Sequence, residues 1–186
     1  FHAFHAAFQW LPLAAVVERS VLVLHGGIGA GDWSLADLEA RGANRPIRDE
    51  DIAGDAVVAN VLWSDPVRED VYSTQDERAN EVRGVHRSPR DGLRGRIVQF
   101  GTDVTKRFCE RNALRMIIRS HEVPKSMSGV AVQHDGRLIT VFSASNYCGR
   151  IGNTGGTMIL TPSLDYQLME HWSPSLDELL EIEERE

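Results

Sequence analysis

Three apolar segments of this sequence are followed by polar residues that could take part in catalysis or metal binding: His25, His121, and the pair Asn146 and Tyr147. Strand ends commonly carry functional residues in mixed α/β folds, because the sheet holds them rigidly while the loops leave space for a ligand. Imidazole is a common ligand for zinc, iron and manganese. Two histidines on strand ends could therefore supply two nitrogens to one metal ion. A single histidine after a buried strand is more often a hydrogen-bonded core residue, and that alternative stays open at this point.

Short apolar runs predict the strands that would position these residues, over residues 21–24, 114–118, 130–133, 138–142 and 157–160. The first run is continuously apolar, which is typical of a strand buried on both faces. Gly26 and Gly27 follow it and allow the backbone to turn sharply. Asp135 and Gly136 lie between the third and fourth runs, so these two strands are predicted to form a hairpin.

Helices are predicted around these strands. An amphipathic helix is indicated by apolar residues at helical spacing, namely Phe1, Phe4, Phe8 and Leu11. It should end before Pro12, since proline disfavours helix at the preceding residue. A second short helix should begin after Ser34 as its N-cap, and a third should begin with Thr102 as N-cap and Asp103 near its positive end.

The composition is that of an ordinary globular domain. The chain has 186 residues, of which 42% are hydrophobic and 25% charged, with a formal net charge of −7. The negative charge argues against a nucleic-acid partner, and no apolar run reaches the roughly 18 residues that a membrane helix needs. Cys109 and Cys148 have no disulfide or zinc spacing, so we interpret them as free thiols in a reducing compartment, the cytoplasm or the nucleus.

The composition also changes along the chain. Residues 1–172 are predicted to form one domain, within which residues 66–94 are charged, lack periodicity and are expected to be an exposed insertion. Residues 173–186 form an acidic tail. The first residues enter an apolar pattern without an initiator methionine, as expected for a part of a longer polypeptide.

Five short motifs follow one another in a characteristic order, at residues 24–27, 62–66, 94–101, 119–122 and 142–149. With this order the chain resembles the C-terminal half of the phosphoprotein phosphatase family of serine/threonine phosphatases, over about residues 8 to 160. The third and last motifs are Arg94-Gly95 before Phe100-Gly101, and Phe142 to Gly149. The fourth and fifth motifs resemble most the branch whose members carry EF-hands. The resemblance implies an α/β fold, the calcineurin-like metallophosphoesterase β-sandwich flanked by helices, with its N-terminal portion missing.

The resemblance also implies roles for particular residues. His25 and His121 match two histidines that bind one of two divalent metal ions, manganese or an iron/zinc pair. Arg94 matches an arginine that binds the phosphate, although the family usually has an acidic residue where this chain has Leu93. Arg90 and Arg96 are alternatives for that role, or all three arginines belong to a solvated loop.

Further residues of the matched motifs receive a substrate-binding or a structural role. Tyr147 matches a tyrosine at the edge of the catalytic groove that contacts substrate, and Asn146 belongs to the same loop. A tyrosine that only packs this loop is the alternative. Trp63 is expected to pack, and Asp65 to set a turn with Pro66, although in the family this aspartate lies near the groove.

The family's remaining motifs are absent from this sequence. They carry the ligating aspartates, an asparagine ligand, another metal-binding histidine, the general acid and a second phosphate-binding arginine. The parent enzyme is therefore expected to hydrolyse phosphoserine and phosphothreonine in protein substrates, while this chain alone is expected to be inactive. Its expected partners are phosphorylated proteins, with regulatory subunits or a calcium-sensing module. One apolar face of the sheet is expected to be exposed.

Two alternatives stay open. The chain could be a non-catalytic module that binds partners through a phosphatase-like surface, as the missing ligands and the charged insertion would allow. An unrelated metal-binding domain would require the order of the five motifs to be a coincidence.

Overall fold

A five-stranded mixed sheet carries the candidate site in this computed structural model, which describes residues 1–43, 46–67, 82–90 and 95–174, with Glu178 and Leu180. The helices are α1 (His2–Phe8), α2 (Leu35–Ala43), α3 (Asp49–Gly54), α4 (Ala56–Trp63) and α5 (Thr102–Arg111). The strands are β1 (Ala14–Val17), β2 (Val21–Leu24), β3 (Asp65–Pro66), β4 (Val85–Arg87), β5 (Val98–Phe100), β6 (Met116–Arg119), β7 (Val130–Gln133), β8 (Leu138–Val141), β9 (Gly155–Leu160) and β10 (Tyr166–His171).

The strand order of this sheet is β1-β2-β6-β8-β7. Strands β2, β6 and β8 are parallel to one another, while β1 and β7 pair antiparallel at the two edges. Parallel strands end at the same edge of a sheet, so the residues that follow β2 and β6 come together. Two smaller sheets, β3-β5-β4 and β9-β10, complete the described strands.

The sheet is covered on both faces, as the alternation of its side chains requires. One face packs against helices through a core that includes Leu22, Ile117 and Leu138 of the sheet with Trp33 and Phe108. The other face contributes buried residues that pack against the β9-β10 hairpin: Val21, Met116 and Ile139. The face that was expected to be exposed is therefore covered in part by this hairpin.

The predicted helices form, with one change at a cap. Helix α1 ends before Pro12 as predicted, and none of its residues is buried. Ser34 caps α2, since its Oγ accepts a hydrogen bond from the backbone N–H of Asp37 at 3.2 Å. The N-cap of α5 is Gly101, so the prediction of Thr102 is wrong by one residue. Among the described residues, no helix is long and apolar enough to cross a membrane.

Part of the predicted insertion at residues 66–94 pairs with the rest of the fold. Strand β4 runs antiparallel to β5, and the backbone N–H of Gly101 bonds the carbonyl of Gly84 at 2.9 Å. Residues 68–81 and 91–94 of this segment lie outside the described residues, as does most of the predicted acidic tail.

The hairpin predicted between β7 and β8 forms, and its turn contains a buried histidine. His134, Asp135 and Gly136 all have positive φ, at 49°, 56° and 77°. The ring of His134 is buried, and its Nδ1 lies 2.8 Å from Thr105 Oγ1. Burial lowers the pKa of His134 to about 4, against the smaller opposing effects of Asp135 and Asp103.

This buried ring predicts a loss of stability in mild acid. The unfolded chain binds a proton at His134 near pH 6.5, whereas the folded chain stays neutral at this ring down to about pH 4. We expect the free energy of unfolding to fall by up to about 3 kcal/mol from this residue as the pH decreases across that window. Urea unfolding at a series of pH values would measure it, with His134→Asn as the comparison, because asparagine tolerates positive φ. If the free energy of unfolding depends on pH equally in the two proteins, the expectation is contradicted.

Candidate metal centre

The ends of β2 and β6 bring the two predicted histidines together. His25 follows β2, and His121 follows β6 after Ser120, whose backbone N–H bonds the His25 carbonyl at 3.1 Å. The two imidazole centroids are 5.0 Å apart, and the ring planes make an angle of 54°. Two residues that are distant in the sequence therefore lie side by side at one edge of the sheet.

A close backbone contact allows this arrangement. Gly26 lies against the C-terminal turn of α4, and its N–H donates to the Val61 carbonyl at 2.7 Å. A Cβ at position 26 would lie 2.5 Å from the backbone carbon of Leu62 and the backbone nitrogen of Trp63. Only glycine can hold the chain this close to the helix, which carries Trp63 to the same site.

The imidazole of His121 is oriented by a carboxylate. Its Nδ1 lies 3.1 Å from Asp65 Oδ1. An ionised carboxylate can only accept, so Nδ1 carries the proton and the lone pair is on Nε2. Metal-binding histidines almost always donate the N–H of the other ring nitrogen to a carboxylate, a backbone carbonyl or a water molecule, which fixes the tautomer and makes the ligating nitrogen more basic.

His25 is held in the form that a metal ion requires. Burial lowers the pKa of His25, and its neighbours His121 and Arg119 lower it further, while Asp65 opposes them. The neutral imidazole, which has a free lone pair, is therefore favoured at neutral pH.

The carboxylate of Asp65 accepts hydrogen bonds from three side chains. Its side chain is buried, and its oxygens lie 2.7 Å from Arg119 Nη2 and 2.7 Å from Arg90 Nε, in addition to the bond from His121. Burial alone would raise the pKa of Asp65, but the bonds from these groups outweigh it and lower the pKa to about 2. The expectation that Asp65 only sets a turn is therefore too narrow.

Arg119 is a buried residue of the site that the sequence did not predict. It is 1% exposed, and its Nε donates to the Gly26 carbonyl at 2.7 Å. Its Nη1 lies 3.0 Å from Glu122 Oε2. A sequence signal existed, since an arginine that ends an apolar strand must find buried acidic partners.

The two histidines open onto a cleft of about 650 Å³. Its lining includes polar and aromatic residues, namely His25, Trp63, Arg90, His121, Glu122 and Tyr147. It also includes apolar side chains: Ile52, Leu62, Val123, Phe142 and Ile151. A cleft lined by both kinds of residue can bind an anionic group together with the less polar groups attached to it.

Two of the aromatic residues that line this cleft are partly exposed to solvent. Tyr147 is 46% exposed, and its ring lies edge-on to Phe142 with centroids 5.1 Å apart. Trp63, which was expected to pack, is 44% exposed. It lies edge-on to His121 at 5.5 Å.

Asn146 has a position different from that of Tyr147. Its side chain is nearly buried, and its Oδ1 accepts a bond from the backbone N–H of Gly152 at 3.2 Å. It is not among the described residues that line the cleft. The structure therefore gives Asn146 a role in shaping the loop that carries Tyr147.

The three candidate arginines are separated by the structure. Arg90 lines the cleft and pairs with Asp65. Arg96 donates from Nη1 to the carbonyl of Ala53. Arg94 lies outside the described residues. Of the two described arginines, Arg90 is the one that the fold brings to the histidines.

The donor set fits a metal ion in part. His25 and His121 offer two neutral nitrogens, and Asp65 supports one of them as an outer carboxylate. Within the described ranges, no group of three histidine, cysteine or acidic side chains could by itself hold a metal ion. These residues therefore fit as two ligands of a site whose other ligands are not among the described residues.

Comparison with known proteins identifies a family with this chemistry. The family model for calcineurin-like phosphoesterases matches residues 1–125. Serine/threonine-protein phosphatase T from Aspergillus oryzae is 41% identical over 176 residues, which cover 91% of this chain and 32% of that protein. Human serine/threonine-protein phosphatase 5 is 40% identical over 154 residues, 82% of this chain and 26% of that protein. The chain thus spans about a third or less of these curated relatives.

A solved structure supports the same conclusion. A protein serine/threonine phosphatase from Saccharomyces cerevisiae, described as similar to human phosphatase PP5, superposes with a TM-score of 0.71 at 30% identity. The match covers 93% of this chain and 50% of the yeast chain, and it confirms the predicted fold class. The closer resemblance to the EF-hand-containing branch stays a prediction. The chain belongs to the calcineurin-like phosphoesterase family.

Proposed function

We propose that this chain is part of a metal-dependent serine/threonine protein phosphatase, which hydrolyses phosphoserine and phosphothreonine in phosphoproteins. The observation that carries the proposal is the cleft in which Asp65 binds both the metal-ligand candidate His121 and the cation Arg90. The relatives with about 40% identity named above support the same activity.

His25 and His121 would hold the metal, which is manganese or an iron/zinc pair in this proposal. When bound, such ions neutralise charge on the phosphate and lower the pKa of a water molecule. Asp65 keeps the proton on Nδ1 of His121, so that Nε2 remains available as a ligand. The side chains of Asp65 and His121 are 2% and 9% exposed, which strengthens the interaction between them.

Arg90 would bind the phosphate of the substrate. Its Nε bond to Asp65 fixes the plane of the guanidinium, and the two Nη atoms carry further N–H donors that match phosphate oxygens. Arg94 remains the alternative that the sequence resemblance implies. Tyr147, at the opening of the cleft, would contact the peptide that carries the phosphate.

The proposal includes partners and a location. Phosphorylated proteins are the substrates, and regulatory subunits or a calcium-sensing module are further partners. The location is the cytoplasm, with the nucleus as an alternative, because Cys109 and Cys148 are both free thiols and thus suit a reducing compartment.

The activity can be tested in a chimera of the Aspergillus phosphatase T in which this chain replaces the matching segment. We expect it to release phosphate from a phosphoserine peptide with Mn²⁺. His121→Ala should lower kcat/KM by more than about 100-fold, since even outer partners of metal ligands contribute 10- to 100-fold. Arg90→Met should lower it by about 100-fold, and Arg94→Met should have little effect.

Arg115→Met is the control, because the side chain of Arg115 forms a long, exposed ion pair with Asp165 at 3.9 Å. A chimera that binds Mn²⁺ without releasing phosphate, or an active chimera that tolerates His121→Ala, would contradict the proposal. If Arg94→Met lowers activity while Arg90→Met does not, the phosphate-binding role passes to Arg94.

A non-catalytic binding module is the second candidate. The observation that favours it is that the described residues supply two metal ligands and no group of three. It predicts that the 186-residue polypeptide shows no turnover of a phosphorylated aryl substrate with Mn²⁺. Turnover that disappears in His121→Ala would exclude this alternative.

A further inference from the structure

Arg119 binds the residue that follows each of the two histidines. Its side chain is completely buried. The residue after His25 is Gly26, whose carbonyl accepts from Arg119 Nε at 2.7 Å. The residue after His121 is Glu122, whose Oε2 lies 3.0 Å from Arg119 Nη1.

The third nitrogen of the same guanidinium, Nη2, is linked to the ring of His121 through the carboxylate of Asp65. Nη2 donates to Asp65 Oδ1 at 2.7 Å, and this oxygen also lies 3.1 Å from Nδ1 of His121. One planar, rigid group therefore fixes the end of β2, the start of β3 and the turn after β6. Lysine could not replace it, because a single ammonium on a flexible chain lacks this fork.

His121 has a backbone conformation that needs such support. Its φ is 77°, in a region that residues with a side chain seldom adopt. A conformation of this kind persists only where the surrounding contacts determine it. The bonds through Glu122 and Asp65 are contacts of that kind, and both converge on Arg119.

We infer that Arg119 is a positioning residue, which sets the separation and orientation of His25 and His121 as a pair of metal ligands. It acts through Gly26, Asp65 and Glu122 and does not touch the metal or the substrate. The inference rests on the metal-binding role proposed above for the two histidines.

Zinc binding tests this role without an activity assay. The 186-residue polypeptide, carrying His2→Ala and His5→Ala to remove the exposed histidines of α1, is titrated with Zn²⁺. The ring signals of His25 and His121 are followed by NMR. Arg119→Lys keeps the positive charge but loses the fork, so we expect Zn²⁺ affinity to weaken about tenfold, as for other outer partners of metal ligands. The ring nitrogen shifts of metal-free His121 should also show a mixture of tautomers.

Met116→Ala is the matched control. Met116 lies on the same strand and is buried, but it packs on the β9-β10 face, away from both histidines. We expect it to lower stability while leaving Zn²⁺ affinity within about twofold of the parent, since it contacts no part of the guanidinium network. If Arg119→Lys does not fold, Glu122→Gln is the second variant. It removes the negative charge from one partner of the guanidinium, and it should also weaken Zn²⁺ binding.

The outcomes separate the two claims. The positioning role would be overturned if the Arg119→Lys protein binds Zn²⁺ as tightly as the parent. It would also be overturned if the Met116→Ala protein loses as much Zn²⁺ affinity as the Arg119→Lys protein. Parent protein in which Zn²⁺ leaves the signals of His25 and His121 unmoved would instead overturn their role as metal ligands.

Discussion

Asp65→Asn is expected to lower the free energy of unfolding by about 3 kcal/mol. The side chains of Asp65 and Arg119 are 2% and 0% exposed, and their closest atoms are 2.7 Å apart. Removing the negative charge leaves the buried guanidinium with Glu122 as its remaining acidic partner, and asparagine can replace only part of the hydrogen bonding. The cost arises from the desolvated cation, because water cannot reach it.

Urea unfolding of the 186-residue polypeptide would measure this loss. Asp165→Asn is the matched control: Asp165 pairs with Arg115 at 3.9 Å and its side chain is 74% exposed. We expect that change to cost less than about 0.5 kcal/mol, as exposed ion pairs contribute little. In an Arg119→Met background, Asp65→Asn should cost much less than in the parent. Equal costs in the two backgrounds would show that the pair does not determine the effect.

Gly26→Ala is expected to have a comparable effect through packing. The added Cβ would meet the backbone of Leu62 and Trp63 at 2.5 Å. These atoms belong to α4 and cannot move without stretching the bond between Gly26 N–H and the Val61 carbonyl. We expect a loss of about 3 kcal/mol, at the upper end for overpacking of a close contact.

Gly54→Ala provides the control for the same substitution. Gly54 ends α3, and a Cβ there would meet no atom within 4 Å. Alanine should leave stability unchanged or raise it by up to about 1 kcal/mol, because it restricts the unfolded chain. Thermal unfolding of the two variants side by side would test the contrast. A similar Tm for both would mean that the contact at Gly26 relaxes without cost.

The positions of the two histidines could be predicted from the sequence because they depend on a local pattern. Short apolar runs shortly before His25 and His121, at residues 21–24 and 116–118, indicate buried strands, and buried strands that are parallel deliver their final residues to one edge. The turn at Asp135 and Gly136 has an equally local cause, since these residues accept positive φ. Each of these features is determined by a few neighbouring residues.

Other elements depend on contacts that no local pattern reveals. Residues 57–63 are apolar except for Asn60, so periodicity does not distinguish a helix from a strand there. The structure forms α4 at this segment, and Asp55 begins it by accepting from the backbone N–H of Val57 at 2.8 Å. Strand β10 has no continuous apolar run and was not predicted, and β1 was not predicted although all four of its residues are apolar.

The charged part of the site is the least predictable. Asp65 and Arg119 are 54 positions apart, and only the fold shows that they pair. Motif similarity pointed to Arg94, which lies outside the described residues and stays a prediction, while the structure shows Arg90 at the cleft.

The contact between Trp63 and His121 makes Trp63 an intrinsic fluorescence probe of the cleft. The indole lies edge-on to the imidazole, with centroids 5.5 Å apart, and is partly open to solvent. A paramagnetic ion such as Co²⁺ at His121 would quench the fluorescence of this indole more strongly than that of Trp33, which packs against Phe108 in the helical core. Occupancy of the metal centre could thus be followed by light emission, without a label and without substrate.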